Sequence, residues 1–288
     1  NFVSDLNNKS LQEIIGTIPG IQSRSLYGDN TSGSKTTIDI RGMGAQAKSN
    51  VLILVNGQKL NNIDMSEIDF PSIPVDEIDV IEIYKGNAGT VLYGDGAIGG
   101  TINIITNPTN KNNNNFASYQ RGSFNTNNYK VNLNNIIADY NINTYVNYKE
   151  TDGYRDENQQ LQTNISTKIN LPFKLMKDFI QINYNEQIMS TPSHRTQSQL
   201  YKNRKGSGTP DDFINSYGGS LLYGTEYKFN KNLDFSLNTS YRKKRSYYDL
   251  QSSNWPSYGD TTLDNIQFSP RLNKKFSINN NILNTVFG

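Results

Sequence analysis

Between residues 161 and 169 the chain alternates strictly. Leu161, Thr163, Ile165, Thr167 and Ile169 occupy one set of positions, and Gln162, Asn164, Ser166, Lys168 and Asn170 occupy the other. Successive side chains of a strand point to opposite faces, so this stretch predicts a strand with one apolar and one polar side. The same period of two recurs at Tyr129/Val131/Leu133, Ile142/Thr144/Val146/Tyr148, Ile180/Ile182/Tyr184, Leu221/Tyr223/Thr225/Tyr227/Phe229 and Leu233/Phe235/Leu237/Thr239/Tyr241. The breaks between these segments alternate in length as well. Ala138-Asp139 and Asn230-Lys231-Asn232 are tight and 171–177 is moderate, whereas 151–158, 189–214 and 250–262 are longer. Membrane barrels sort their connections this way, short at one rim and long at the other, and a soluble sandwich has no reason to do so. The pattern predicts antiparallel transmembrane strands over 116–288, about nine of them, the last near 282–288.

The region before residue 108 follows a different rule. Ser10 and Glu13 form a capping-box signature ahead of Leu11, Ile14, Ile15 and Ile18, and Pro19-Gly20 supplies a stop, so one short helix is expected. Residues 37–40, 51–55, 80–84 and 101–105 read as strands, with Asn56-Gly57 as a hairpin turn after the second. The fold class expected is therefore a small α+β domain followed by the strands of an antiparallel transmembrane β-barrel that is incomplete in this chain. Pro108 and the asparagine-rich run 110–115 mark the division into a domain of 1–108, a linker of 109–115 and a barrel portion of 116–288.

Composition narrows the picture. Hydrophobic residues make up 34% of the 288, with 18 Tyr and 12 Phe. A mean hydropathy of −0.66 is low for so aromatic a chain, and disordered chains are poor in aromatics. The net charge of +2, from 28 Lys and Arg against 26 Asp and Glu, gives no field for nucleic acid. Cysteine is absent, which removes disulfides and thiol chemistry. The longest aliphatic run is 51–55, far short of the ~20 residues of a spanning helix, so any crossing is by strands. The start, Asn1-Phe2-Val3-Ser4-Asp5, has no basic and apolar leader and reads as mature or cut. Tyr148, Tyr184, Phe229 and Tyr241, expected near strand ends, suit either an aromatic girdle or plain β-propensity.

Gly94-Asp95-Gly96-Ala97-Ile98-Gly99 satisfies the spacing of a dinucleotide fingerprint, but a β-branched run, Thr101-Ile102-Asn103-Ile104-Ile105, follows where a helix is required. Gly94, Gly96, Gly99 and Gly100 are better read as a compact turn. The surrounding residues carry a resemblance. Ile78-Asp79-Val80-Ile81-Glu82-Ile83-Tyr84-Lys85-Gly86, then Leu92-Tyr93-Gly94 and Ala97-Ile98-Gly99-Gly100-Thr101-Ile102-Asn103-Ile104-Ile105-Thr106, resemble the end of a TonB-dependent receptor plug domain. Ile18-Pro19-Gly20-Ile21, Ile40-Arg41-Gly42 and Val51-Leu52-Ile53-Leu54-Val55-Asn56-Gly57 match further pieces in order, and Asp152-Gly153-Tyr154-Arg155-Asp156 resembles a segment after an early barrel strand. Asn87 stands where the family often has Pro, and Lys85 where Arg is common, which puts the family's plug-to-barrel ion pair at Lys85 in doubt.

The resemblance implies a bacterial outer-membrane barrel of about 22 strands with a plugged lumen. It implies uptake, without catalysis or cofactor, of a metal chelate such as a ferric siderophore, or of cobalamin, driven by the inner-membrane TonB complex. The TonB-contacting segment is expected before Asn1, with the remaining strands beyond residue 288. A saccharide or peptide importer is the alternative on the same fold; a passive porin leaves the plug unexplained. In the family the plug's outward loops meet the ligand. By position these are 26–35, 44–50 and 61–70, with Gln46, Asn62, Asp64, Met65 and Ser66 as candidates, or as ordinary polar turn residues. Arg41 and Glu82, expected on plug strands, and Lys85 are candidates for holding the plug in its barrel, Arg41 and Glu82 through each other or through barrel partners.

The remaining chemistry is sparse. His194 is the one histidine, beside Arg195, Lys202, Arg204 and Lys205 in a long loop that suits either solvation or an anionic chelate. It lacks the partners of a metal site, and Asp211-Asp212 lacks calcium-loop spacing. Arg242-Lys243-Lys244-Arg245 is expected near a strand end, in contact with headgroups, lipopolysaccharide or water.

Overall fold

In the computed structural model, which describes residues 10–25, 36–62, 68, 70, 73, 75–86, 89–90, 96–106, 115–173, 176–209, 211–251, 256–278 and 281–288, the first part of the chain folds around its aliphatic run. The helix Leu11–Gly16 begins as its capping box requires: the Glu13 carboxylate accepts from the Ser10 N–H at 2.7 Å and the Ser10 hydroxyl at 2.9 Å. Six strands follow, β1 (Ile21–Ser25), β2 (Thr36–Ile40), β3 (Val51–Val55), β4 (Gln58–Lys59), β5 (Ile78–Lys85) and β6 (Gly100–Thr106). The sheet order is β4-β3-β6-β5, with β3 parallel to β6 and the other pairs antiparallel, while β1 and β2 form a separate ribbon.

β3 explains why the run 51–55 does not alternate. Val51 and Ile53 enter a core with Leu11, Ile15, Ile38, Ile40, Ile102 and Ile104, while Leu52 and Leu54 pack on the other side against Ala97. A strand covered on both faces is apolar throughout. Asn56 (φ 50°) and Gly57 (φ 81°) make the expected tight turn into β4. β1 has no alternation in Gln22-Ser23-Arg24 to announce it; it forms by backbone pairing, with Ile21 opposite Ile40.

From residue 116 the chain is a simple meander. β7 (Phe116–Arg121), β8 (Asn127–Ile137), β9 (Tyr140–Thr151), β10 (Gln160–Leu171), β11 (Met176–Ser190), β12 (Phe213–Asn230), β13 (Leu233–Leu250), β14 (Ser257–Ile278) and β15 (Asn281–Phe287) form one antiparallel sheet in chain order. The two faces of this sheet are inverted relative to a soluble protein. Ile182, Leu221, Tyr241 and Ile266 are cross-strand neighbours in one row, and all are exposed, Ile266 to 79%. One residue along, Lys168, Gln181, Leu222, Ser240 and Gln267 form the adjacent row on the opposite face, where Gln181 is only 4% exposed. Asparagines line this inner face in a ladder, Asn143 to Asn132 at 3.0 Å and Asn147 to Asn128 at 2.6 Å. An apolar outside over a polar inside is what a membrane barrel wall needs.

Connections also alternate: Ala138-Asp139, 172–175, 231–232 and 279–280 at one rim, and 122–126, 152–159, 191–212 and 251–256 at the other. Three expectations need correction. The stretch 250–262 is not a long loop, because β14 begins at Ser257 and pairs with the end of β13; Thr261, Thr262 and Asp264 give it no apolar face to read. The connection 191–212 is long as expected and carries a helix, Gln197–Lys202, capped by Thr196 and Gln199. The basic run 242–245 lies inside β13, and Tyr184 and Tyr241 lie mid-strand for the same reason: these strands run well past the segments their apolar residues mark. The 18 residues of β13 reach about 60 Å at ~3.3 Å each, more than twice the roughly 25 Å apolar band of a barrel.

Candidate functional site

The plug's edge strand lies against the inner wall. Asn56, beyond β3, is fixed first within the plug: its side chain accepts from Thr106 N at 2.9 Å and donates to Thr106 Oγ1 at 2.7 Å. It also donates to Gln181 of β11 at 3.2 Å. From there the chain climbs the wall, each step met by an inward side chain. Asn238 donates to Asn56 O at 3.3 Å. Gln267 donates to Gly57 O at 3.2 Å and accepts from Lys59 N at 2.9 Å. Arg242 donates to Leu60 O at 2.9 Å and to Asn62 Oδ1 at 2.8 Å. Asn238 and Arg242 share one face of β13, and Gln267 is opposite Ser240 between them, so the contacts follow the strand register. On the plug side Asn61 holds the same arm, accepting from Ile53 N at 2.8 Å and donating to Val51 O at 2.8 Å. The wall therefore supplies side chains where a sheet would supply a neighbouring strand, and satisfies an otherwise open edge.

Above the arm, a cleft separates plug from wall. Leu60, Asn62 and Ile73 border it on the plug side, and Asn183, Asn185, Ser220, Arg242 and Lys244 on the wall side. Carboxamides, the hydroxyls of Tyr184 and Ser220 and the cations Arg242, Lys243 and Lys244 line it; among the described residues its lining holds no Asp or Glu.

The sequence candidates are distributed unevenly. Asn62 borders this cleft and is almost fully buried. Gln46 closes the 3-10 turn Gly44–Gln46, exposed, with its carbonyl bound by Ser49 and Asn50. Asp64, Met65, Ser66 and Gly94 lie outside the described residues. Arg41, expected on a strand, sits one residue past β2 with φ 74° and an exposed side chain. Glu82 accepts from Asn103 at 2.9 Å, and Lys85 donates to Pro19 O at 2.7 Å, so the bonds described for both are inside the plug. Gly96 has φ 88°, and a Cβ on Gly100 would stand 2.8 Å from the Tyr84 carbonyl oxygen, so backbone approach excludes a side chain there. The wall residues Gln181, Asn238 and Gln267 were not singled out from sequence, and Arg242 was read only as part of a basic run meeting headgroups, lipopolysaccharide or water. Their signal was their place on the polar side of each alternating strand.

The long-loop rim carries a second polar cluster. Arg155 Nη1 donates to Pro192 O at 2.6 Å, and Nη2 to Ser193 O at 2.8 Å and Gly206 O at 3.0 Å. Arg195 shares Gly206 O at 3.2 Å and also reaches Asn203 O. Burial, and secondarily the neighbouring Arg195, lowers the Arg155 guanidinium from the usual arginine value, and it remains cationic. His194 contacts only its neighbour Ser193 among the bonds described, and no cluster of metal-ligating residues is found among the described residues.

A model of the TonB-dependent receptor plug domain matches residues 2–101. Residues 2–101 belong to the TonB-dependent receptor plug domain family. Among its relatives are the ferric enterobactin receptor of Pseudomonas aeruginosa, 35% identical over 34% of this chain and 14% of the relative, and the vitamin B12 transporter BtuB of Photobacterium profundum, 32% identical over 36% and 16%. Among solved structures, two share the fold of nearly the whole chain. The unliganded ferric citrate transporter FecA aligns with a TM-score of 0.80 at 15% identity, covering 96% of this chain and 44% of that one. The ferric yersiniabactin uptake receptor FyuA of Yersinia pestis aligns with a TM-score of 0.77 at 16% identity, covering 94% and 44%. The chain thus spans less than half the length of these two solved structures.

Proposed function

We propose that this chain is the plug, 1–108, the linker, 109–115, and the first barrel strands, 116–288, of a bacterial outer-membrane receptor. The receptor takes up a metal chelate, a ferric siderophore or cobalamin, and draws on the inner-membrane TonB complex. The observation that carries this reading is the cleft between plug and wall. Its cations, Arg242, Lys243 and Lys244, beside carboxamides suit an anionic ferric chelate, and its place along the plug arm couples an occupant to the plug. The names of relatives, receptors for ferric enterobactin and transporters of vitamin B12, support the same substrate classes. Asn62 is the sequence candidate best placed to touch such a ligand; Gln46, Asp64, Met65 and Ser66 belong to the same proposal. Arg41, Glu82 and Lys85 remain proposed for seating the plug.

A second reading has its own observation. Asn183, Asn185 and Ser220 along the cleft suit a hydroxyl-rich saccharide. Calorimetric titration of the full-length receptor in detergent with ferric citrate, a ferric catecholate, cobalamin and maltodextrins separates the two, alongside radiolabelled uptake by cells with and without the TonB complex. Saturation by a chelate and TonB-dependent uptake are expected. Saturation by the oligosaccharide alone, or uptake indifferent to TonB, overturns the chelate reading.

A further inference from the structure

Asn56 is the one asparagine in the sequence that is followed by glycine. That order carries a reactivity. The backbone nitrogen of the next residue attacks the asparagine carboxamide carbon, and glycine, with no side chain, hinders the attack least. At Asn56 the attack joins Gly57 N to Cγ and breaks the Cγ–Nδ2 bond, and the proton of the Gly57 N–H leaves with Nδ2 as ammonia. Water then opens the cyclic imide at either carbonyl, giving aspartate or isoaspartate with no change of oxidation state. Both residues of the turn are half-buried, within reach of water.

The same carboxamide pins the plug arm to the wall. It accepts from Thr106 N at 2.9 Å and donates to Thr106 Oγ1 at 2.7 Å and to Gln181 Oε1 at 3.2 Å. Asn238 holds the Asn56 carbonyl, and its Nδ2 stands 2.8 Å from where a Cβ on Gly57 would be, so the wall packs on both residues of the turn. Ring closure ends both bonds made by Nδ2 and swings Oδ1 away from Thr106 N. Interactions present in the ground state and lost in the transition state slow a reaction. Three bonds of ordinary strength slow this one about a hundredfold. We propose that Asn56 is a spontaneous deamidation site that the plug seat keeps silent, and that it converts when the arm leaves the wall. Conversion is one-way. A carboxylate at position 56 still accepts from Thr106 N but has no N–H for Gln181, and isoaspartate adds a backbone atom to a tight turn, displacing the carbonyl that Asn238 holds. A plug that has been unseated for long therefore returns to a weaker seat.

The experiment ages the full-length receptor in detergent at mildly alkaline pH and follows conversion of Asn56 by peptide mass spectrometry. The folded wild type is expected to convert about a hundredfold more slowly than the same receptor denatured in guanidinium chloride. Gln181→Met, which keeps the side-chain length and removes the acceptor, is expected to convert about fivefold faster than wild type, and Thr106→Val, which removes the hydroxyl partner, by a similar factor. Leu52→Ala weakens the plug core without touching Asn56 and is expected to leave the rate near that of wild type. Conversion of the folded wild type at the denatured rate overturns the protection. A Gln181→Met rate equal to wild type overturns the part played by the wall, and an equal rise in Leu52→Ala assigns conversion to global unfolding and overturns it as well. No arm measures uptake, so the outcome is independent of the receptor reading.

Discussion

Arg155→Ala tests whether the outer rim is held by one side chain. The guanidinium bonds three carbonyls of the loop 191–212, and two of them belong to buried residues, Pro192 and Gly206. A hydrogen bond from a charged donor contributes about 1.5–3 kcal/mol, and buried carbonyls left without a partner add to the loss. Because Arg195 still reaches Gly206 and water enters the rim, the three together are taken as about 3 kcal/mol rather than their sum. At 1.4 kcal/mol per factor of ten, local opening of the loop becomes about a hundredfold more frequent. Lys202, Arg204 and Lys205 are exposed on this loop and supply trypsin sites that an opened loop presents. Limited trypsinolysis of the receptor in detergent, followed by mass spectrometry of cleavage after these residues, reads the opening directly. The expected result is a rise of about two orders of magnitude for Arg155→Ala, and an intermediate rise for Arg155→Lys. Equal cleavage rates in wild type and Arg155→Ala refute the clamp and leave the loop held by its backbone bonds, such as Asp156 N to Lys205 O at 2.8 Å.

Three further outcomes are expected. Leu221→Arg, in the exposed apolar row, costs about 2–4 kcal/mol if that row meets lipid at mid-depth, and urea unfolding in liposomes measures it; no loss in liposomes would falsify a lipid-facing row. Leu52→Ala, in a fully buried position of β3, lowers plug stability by about 2–5 kcal/mol, read by denaturant titration of the receptor in detergent. Gly100→Ala forces a Cβ to within 2.8 Å of the Tyr84 carbonyl oxygen and 2.9 Å of Ile40 Cδ1, and lowers plug stability by about 3 kcal/mol in the same titration.

Much of the fold was legible because the hydrophobic pattern and the local signals agreed. The period of two along 161–169 marks β10, and Asn56-Gly57, needing two positive φ values, marks the hairpin. Legibility failed where polar residues do structural work. β14 begins with Ser257 and continues through Asp260, Thr261, Thr262 and Asp264. A strand rising beyond the bilayer has no lipid side to keep apolar, so alternation stops while backbone pairing continues. β1 forms without a pattern for a related reason: its partner β2 dictates it.

The site was less legible than the fold. Asn62 was a candidate from its position in the plug, but Arg242, which bonds it, is 180 residues away in a run that reads as surface charge. Alternation inside β13 splits that run. Arg242 turns to the plug, while Arg245, on the other face, pairs with Asp260 and Tyr217. Only the register of the strand separates the two roles, and composition is blind to register.

The choice of amides along the wall has a consequence for how the plug is seated. Asn and Gln do not ionise, so the three bonds that Gln181, Asn238 and Gln267 make to the plug arm contain no side-chain group that titrates, and protonation cannot switch them off one by one.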